Sequence, residues 1–453
     1  MTARIAEASV VARASSQPLS LDFKLVVFVI LVAVCEGAVR KWFVPSLSSP
    51  LLALRDLAAI VLVLRAAALH RYSAMPLLTQ CLVLWSFCVL MWGALQLVVV
   101  QGPLVLYFLG LRFWLLYLWF ALAMACSLST GEVVKVIRLM IALSVLMLPL
   151  AVMQHFSAPS SPLNVQPDTD EEEIFRVSAD IVRVSGTFTF TMGYACFIAA
   201  VAPFAMSTVW NGKALYRRKW FAMVAFFAVS VGTLISGSRA SIMFFGALLA
   251  IQTVGSFAGA KSGKALVFAI AKTLIAVLAL CATLFIFSDA LVATQERFSD
   301  AAAQEDVMGR IETELLGEPA SRKDINFIGH GLGAGTNAGS VLLTGERTFE
   351  LAESEPARVL LEMGFVGFAW LLIKCTIFSL GLARSVSRLT RLGETLPMML
   401  WATAAYGMSS WPISGQVSAN AFGYIVLGLA LCSIRPALPA RTVVYRHAGE
   451  VSR

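Results

Sequence analysis

The sequence predicts an all-α polytopic membrane protein with about twelve transmembrane helices. Apolar residues make up 58% of the 453 positions, and only 14% of the residues are charged. Soluble domains are closer to half apolar and a quarter charged, so an excess this large has to be solvated by lipid. Each transmembrane helix needs about 20 apolar residues, and the chain has room for twelve. The composition therefore excludes a soluble globular protein.

Twelve apolar runs justify the predicted helices, and the gaps between them define the other parts of the chain. The runs lie at about 23–39, 51–64, 75–98, 103–126, 133–155, 187–209, 219–236, 240–258, 265–288, 356–381, 395–411 and 415–434. The predicted parts are a tail at 1–22, helices 1–9 at 23–288 with an outer loop at 157–186, a large loop at 289–355, helices 10–12 at 356–434 and a second tail at 435–453. Short runs such as the second are marginal spans.

The distribution of charge predicts the side of the membrane on which each loop lies. Lys and Arg collect in cytoplasmic loops. With both termini cytoplasmic, the segments on that side hold 20 basic and 5 acidic residues, and the rest of the chain holds 15 and 22. Both long loops, 157–186 and 289–355, then lie outside. Topology therefore accounts for the net charge of +8, and no nucleic-acid partner is expected.

Six basic residues lie near the outer face in this topology, against the general bias. They are Arg40, Lys41, Arg55, Arg112, Arg239 and Arg358. A cation at mid-membrane costs about 2.5 to 3.5 kcal/mol on insertion scales, so such residues generally face a cavity or a partner. One alternative is a salt bridge between packed helices, as for Arg40 with Glu36. As a set they suit a lipid phosphate or diphosphate, whereas Lys272 and Lys374 are expected to snorkel to the cytoplasmic face.

Two short segments combine an arginine with a glycine turn. In Ser236-Gly-Ser-Arg-Ala-Ser241 the glycine permits a tight turn, and the serines can cap a helix whose N-terminus attracts anions. Arg239 in the first turn of that helix adds a bidentate donor. The alternative is a helical hairpin whose arginine reaches the membrane interface. In Arg183-Val-Ser-Gly-Thr-Phe188 the arginine stands just before helix 6 and beside a glycine.

Three residues are candidates for a general base, and neither a metal nor a cofactor is expected. Glu353 and Glu355 precede helix 10 or begin it, where a carboxylate near the cationic set can deprotonate a hydroxyl. Acidic residues at a helix N-terminus also favour the helix dipole without any chemistry. His330 lies in the glycine-rich turn 329–335 and is either a base or an ordinary surface residue. The other three histidines and the eight cysteines show no metal-ligand spacing.

The motifs occur in an order that resembles the O-antigen ligase and O-antigen polymerase (Wzy-type) superfamily of bacterial polysaccharide enzymes. They are RVSGTF at 183–188, SGSR at 236–239, MGR at 308–310, FIGHGLG at 327–333 and LEMGFVG at 361–367. In addition, EGAVRKW at 36–42, followed by Arg55 and Asp56, is similar to a subgroup tied to exopolysaccharide production. The resemblance covers most of the chain, and its force lies in the order of the motifs.

This resemblance implies a GT-C-like bundle with a large periplasmic loop in the bacterial inner membrane. The implied activity is metal-independent, inverting transfer of a polyprenyl-diphosphate-linked glycan to a sugar hydroxyl, with other polysaccharide assembly proteins as expected partners. It places the diphosphate at Arg239, Arg183 and Arg310. Ligases of the family carry a histidine where this chain has Ala352-Glu-Ser-Glu355, which favours a polymerase. Ligase-type transfer to a lipid or protein, and a twelve-helix transporter or exporter of glycan precursors, remain alternatives.

Overall fold

A computed structural model shows a bundle of helices and describes residues 19–44, 48–165, 182–215, 219–288, 290–292, 295, 325–345 and 354–435. The helices are α1 (Leu21–Ala38), α2 (Ser48–Ala68), α3 (Pro76–Val99), α4 (Leu104–Ser127), α5 (Thr130–His155), α6 (Thr191–Leu215), α7 (Lys219–Ile235), α8 (Arg239–Ala258), α9 (Gly263–Ile286), α10 (Asn337–Thr344), α11 (Glu355–Met363), α12 (Phe365–Leu392), α13 (Leu396–Ser410) and α14 (Val417–Ile434). One π turn, Val39–Phe43, continues α1, and another, Arg112–Leu116, lies inside α4.

Eight helices of the described ranges are long and apolar enough to cross a membrane. They are α3, α4, α5, α6, α8, α9, α12 and α14. Of the other helices at predicted runs, α1 and α2 each contain three charged residues, and α7 and α13 have only 17 and 15 residues. The share of buried residues in these spans varies widely, from 89% in α6 to 11% in α9. The prediction of an all-helical polytopic membrane protein is confirmed.

Polar side chains define the two ends of the bundle. Consecutive long helices alternate in direction, so the end of α2 meets the start of α1, where Arg65 Nε donates to Asp22 Oδ1 over 2.9 Å. At the same level the Ser20 amide donates to Glu132 Oε1 at the start of α5 over 3.1 Å. We call this the Asp22 end. The opposite end, at which α1 finishes, is the Lys41 end.

Local sequence explains where several helices begin. Ser129 Oγ accepts the Glu132 amide over 3.3 Å, while the Glu132 carboxylate accepts the Ser129 amide over 2.9 Å. These two bonds form a capping box, which satisfies amides that a helix N-terminus leaves open. Ser238 caps α8 in the same way by accepting the Ser241 amide over 3.3 Å. Each such cap stabilises a helix by about 1 kcal/mol.

Helix α14 forms the centre of the bundle. Its residues Ala419–Leu431 are buried in an unbroken run, and it packs on α1, α4, α6 and α13. Gly428 lets it approach α4 closely, since an added Cβ would lie 2.2 Å from the terminal methyl of Met124. The side-chain amide of Asn420 donates from Nδ2 to the carbonyls of Phe113 and Ile413 over 3.2 and 2.9 Å. A helix surrounded by protein on all sides has to satisfy its polar groups internally.

The predicted helix 10 is two helices, α11 and α12, and this corrects its boundaries. Gly364 separates them with φ +57, a conformation that a side chain rarely adopts. The chain turns there because the Phe365 amide donates to the carbonyl of Phe327 over 2.9 Å. The expected snorkelling of Lys374 is also wrong. Its ammonium is buried and donates to the carbonyl of Met408 over 3.0 Å.

We expect Gly381→Ala to destabilise the bundle, because an added Cβ would lie 2.1 Å from the ring of Trp401. Overpacking of this kind costs about 1 to 3 kcal/mol. Gly246→Ala in α8 is the matched control, since an added Cβ there meets nothing within 4 Å. Thermal melting of the detergent-solubilised protein is the measurement. Equal melting temperatures for the two variants would contradict the close packing of α12 on α13.

Candidate functional site

Charged side chains at the Lys41 end form three groups that are buried or half-buried. The Lys41 group consists of Lys41, Gln154, Ser185 and Gly186; the Arg55 cluster of Arg55, Asp56, Arg112 and Tyr117; and the α11 carboxylates are Glu355 and Glu362. Ionisable groups are expensive to bury within an apolar bundle, so such groups are functional candidates.

The Lys41 group holds a sharp turn just before α6. Lys41 Nζ donates to Ser185 Oγ over 2.6 Å and to the carbonyl of Gly186 over 3.2 Å. Gln154 Nε2 donates to the same carbonyl over 3.1 Å, and the Gly186 amide donates back to Gln154 Oε1 over 2.7 Å. Gly186 has φ +55. Glycine adopts this conformation readily, which explains why a glycine occupies the position. Lys41, predicted to bind substrate, therefore acts on the turn itself.

Tyr194 lies between the turn at Gly186 and helix α7. An added Cβ at Gly186 would lie 2.8 Å from the Tyr194 ring, and one at Gly232 would lie 2.7 Å from its hydroxyl. Gly186 belongs to the segment that follows Arg183, and Gly232 is four residues before the segment Ser236–Ser241 that carries Arg239. Both arginines are half-buried.

The predicted turn between α7 and α8 is present. Gly237 has φ +62, and Ser238 caps α8, whose first residue is Arg239. The amides and the positive dipole end of α8 point out of the Lys41 end beside this guanidinium. A helix N-terminus combined with an arginine is suited to an anion.

The Arg55 cluster joins α2 to α4. Asp56 accepts hydrogen bonds from Arg112 Nε, from Arg112 Nη2 over 3.4 Å and from Tyr117 Oη over 2.9 Å. Arg55 Nη2 lies 3.6 Å from Asp56 Oδ1, and its guanidinium carbon lies 5.2 Å from the centre of the Tyr117 ring. Two guanidinium groups therefore share one carboxylate, and the cluster carries a net positive charge.

The π turn of α4 connects this cluster to α11. Arg112 begins the turn and bonds to Asp56, while Trp114, two residues on, donates from Nε1 to Glu362 Oε1 over 2.7 Å. A π turn is wider than an α-helical turn and often marks a functional site, because it redirects side chains. Here one turn serves two carboxylates on different elements, the half-buried Asp56 and the buried Glu362.

Glu362 fixes the glycine-rich turn onto the bundle. Its carboxylate is 0% exposed. Besides the bond from Trp114, Oε1 accepts the Gly333 amide over 2.5 Å and Oε2 accepts the Gly335 amide over 3.3 Å. Burial raises the pKa of Glu362 to about 7, against the lowering effect of these hydrogen bonds, and the charge of Glu355 raises it further.

The carbonyls at the C-terminal end of α11 also have partners. Gln96 Nε2 donates to the Glu362 carbonyl over 2.8 Å, and Trp92 Nε1 donates to the Met363 carbonyl over 2.9 Å. The His330 amide donates to the carbonyl of Leu361 over 2.8 Å. A helix end leaves such carbonyls open, and a buried end needs partners for them. α3 and the glycine-rich turn supply these partners.

Glu355, predicted as a base, is a buried carboxylate whose two oxygens both accept hydrogen bonds. Ser414 donates to it from its amide over 3.2 and 3.1 Å and from its hydroxyl over 3.0 Å. Burial raises the pKa of Glu355, and the nearby charges of Lys374 and Arg358 lower it. The guanidinium of Arg358 lies against Gly415, where an added Cβ would be 2.1 Å from Nη1. Both charges are thus packed inside the bundle.

His330 borders an open groove between the α3–α4 connection and the glycine-rich turn. The groove is shallow, and the centre of a water-sized sphere can enter only about 20 Å³ of it. His330 Nδ1 lies 3.0 Å from the carbonyl of Leu361. Since a carbonyl only accepts, Nδ1 carries the proton, and Nε2 is left as an acceptor when the ring is neutral. Of the other predicted site residues, Arg40 is half-buried beside Lys41, and Glu353 and Arg310 lie outside the described residues.

Sequence reasoning missed several residues of this region. Gln154 and Ser414 belong to no pattern that a single sequence reveals. Glu362 lies in the segment LEMGFVG, whose pattern assigns it no role of its own, and Trp114 belongs to a continuous apolar run. Only the acidic residue offered a signal, because a carboxylate within an apolar segment demands partners.

Together these features define a polytopic helical membrane protein with a buried polar region at one end. Within the part of the chain that the structure covers, no group of three or more His, Cys, Asp or Glu residues is placed to hold a metal ion. Comparison with known proteins finds no matching family model, curated protein or solved structure.

We expect the stability of the protein to fall as the pH rises from about 5 to 7.5. A carboxyl group whose folded pKa of about 7 lies above the ordinary 4.5 binds its proton more tightly in the folded state, so folding is favoured at the lower pH. Glu362→Gln does not titrate and should flatten the decline in melting temperature. Glu394→Gln, at a half-exposed position, is the control. An unchanged slope in Glu362→Gln would contradict the assignment.

Proposed function

We propose that this protein is a polysaccharide polymerase of the bacterial inner membrane, a GT-C-like bundle of about twelve spans whose Lys41 end faces the periplasm. It transfers a polyprenyl-diphosphate-linked glycan to an acceptor sugar hydroxyl, with inversion and without a metal. The observation that carries the proposal is the contact of Tyr194, at one end of an apolar bundle, with Gly186 after Arg183 and with Gly232, four residues before the Arg239 segment. A lipid-linked anion reaches such a site from within the membrane.

The two arginine segments support the role of the diphosphate as leaving group. As the bond to the anomeric carbon breaks, negative charge grows on the diphosphate. Preorganised cations and helix amides aimed at that charge contribute strongly to catalysis by stabilising the transition state. Arg183, Arg239 and the N-terminus of α8 supply them here, with Arg40 and Arg310 as further proposed ligands.

Two other predicted cations, Lys41 and Arg358, keep the segments around the proposed site in place. Lys41 orders the turn after Arg183 through its bonds to Ser185 and Gly186. Arg358 is enclosed between the turns at Gly335 and Gly415. A cation already bonded inside the protein contributes to the field at the site and keeps neighbouring elements in place.

The geometry favours His330 over Glu355 as the base. Its Nδ1 is oriented by a backbone carbonyl, which leaves Nε2 free to accept a proton beside an open groove. This arrangement is typical of a catalytic histidine, and imidazole is the side-chain group best suited to proton transfer near neutral pH. Glu355 uses both oxygens on Ser414. Glu353 remains the third candidate.

Two alternatives remain. Ligase-type transfer to a lipid or protein acceptor would use the same leaving group. A transporter is favoured by one observation, the break at Gly364 between α11 and α12, because broken helices near ion sites are typical of carriers. Reconstituted vesicles separate the classes, since a carrier accumulates a glycan precursor without forming a new glycosidic bond.

We expect Arg239→Ala to abolish polymer and to leave single repeat units on the cell surface. The loss of a guanidinium at the leaving group should reduce transfer by about 10² to 10³. Lys261→Ala, an exposed cation at the Asp22 end, is the control. Gel profiles of surface glycan measure the outcome. Wild-type chain length in the Arg239→Ala strain would remove that residue from the proposed site.

We expect His330→Gln to lower the rate of transfer by about 10² to 10⁴, the usual contribution of a general base. The measurement is the rate of transfer by purified protein supplied with lipid-linked repeat units. His70→Asn is the control, because His70 lies at the Asp22 end with φ +53 and asparagine tolerates that conformation. A wild-type rate in His330→Gln would assign the role of the base to another residue.

A further inference from the structure

Arg55 is buried but short of hydrogen bonds. It is 1% exposed, and its Nε and Nη2 have no hydrogen-bond acceptor in the described part of the chain. The carboxylate that it faces, on Asp56, already accepts bonds from Arg112 and Tyr117. A guanidinium has five N–H donors, and burying them without acceptors is unfavourable. The cluster therefore has donors available for a further acceptor.

The charge of the Arg55 cluster specifies the kind of acceptor. Two guanidinium groups and one carboxylate leave one positive charge uncompensated within the cluster. Planar guanidinium groups bind phosphate oxygens in a bidentate manner and are less strongly hydrated than an ammonium. A phosphate group would supply both the missing acceptors and the missing charge.

The surroundings of the cluster indicate that the phosphate is carried by a lipid. The side chains of Asp56 and Arg112 are 16% and 20% exposed, so the cluster opens on the bundle surface. Phe108, four residues before Arg112, is 60% exposed, and Ile60, four residues after Asp56, is 40% exposed. Residues four apart share a helix face. The opening thus lies between apolar side chains that face lipid.

The depth of the cluster in the membrane also favours a lipid over a soluble anion. Arg112 follows the start of α4 at Leu104 by eight residues, which corresponds to about 12 Å along a helix. A soluble anion would have to leave water to reach it. An arginine at this depth draws a lipid phosphate inward by thinning the bilayer locally, and the chains of that lipid then cover the neighbouring apolar side chains.

We propose that the Arg55 cluster is a binding site for the phosphate group of a membrane lipid, distinct from the pair of turns at Arg183 and Arg239. Every side-chain hydrogen bond and ion pair of its four members within the described residues stays inside the cluster. The site thus has its own framework on α2 and α4. It goes beyond the proposed polymerase activity, because lipid binding here requires no sugar and no reaction.

The test is a count of bound lipids by native mass spectrometry of the full-length protein in detergent. The probe is dioleoylphosphatidic acid, which carries a phosphate monoester, and dioleoylglycerol is the lipid without phosphate. Arg55→Met should weaken binding of one phosphatidic acid about tenfold, as expected for the loss of charge-assisted bonds. Arg65→Met is the matched control, since Arg65 lies on the same helix and also pairs with an aspartate. Dioleoylglycerol should not bind at this site.

A second variant separates ligand binding from folding. Asp56→Asn keeps the shape and one acceptor oxygen but removes the negative charge next to the proposed phosphate. We expect it to bind phosphatidic acid several-fold more tightly than the wild type, an increase that a folding defect would not produce. Weaker binding in Asp56→Asn would overturn the proposal.

Two further results would also overturn it. One is an unchanged number of bound lipids in Arg55→Met. The other is displacement of phosphatidic acid by inorganic phosphate at equal concentration, which would identify the ligand as a soluble anion. Because none of these measurements uses a glycan, they are independent of the outcome for Arg239.

Discussion

The carboxylate of Glu362 is the interaction on which the Lys41 end depends. One buried side chain holds three elements together, because it accepts bonds from the indole of α4 and from two amides of the glycine-rich turn while it belongs to α11. The break at Gly364 brings α11 under that turn. A buried carboxylate without these donors would be strongly unfavourable, so the donors and the carboxylate require one another.

Most buried charges of the Lys41 end have internal partners, and this changes how the cations are to be understood. Lys41 is bonded to a turn, Arg112 to an aspartate and Lys374 to a backbone carbonyl. Arg55 differs, because its neighbours do not use all of its donors. Position within the membrane identifies candidates, but the bonding of each side chain shows which candidates are available to a ligand.

The sequence predicts the positions of the helices well, because long apolar runs are the strongest signal that a membrane protein carries. It does not predict the break at Gly364, where the apolar pattern continues and only the backbone angle of one glycine differs. The adjacency of Arg55 and Asp56 is visible in the sequence, but their pairing with Arg112 and Tyr117 depends on the packing of two helices. Gln154 and Ser414 are polar residues of ordinary type, and their importance arises only from their partners, the backbone of Gly186 for Gln154 and the carboxylate of Glu355 for Ser414.

The low burial of α9 has a consequence for its position in the bilayer. Only 11% of the residues in its apolar span are buried in the bundle, so most of this helix is left for lipid to cover. The tilt of a helix that is covered mainly by lipid responds to bilayer thickness. Helix α11, in contrast, is held by buried hydrogen bonds. A change in bilayer thickness is therefore expected to move α9 more than α11.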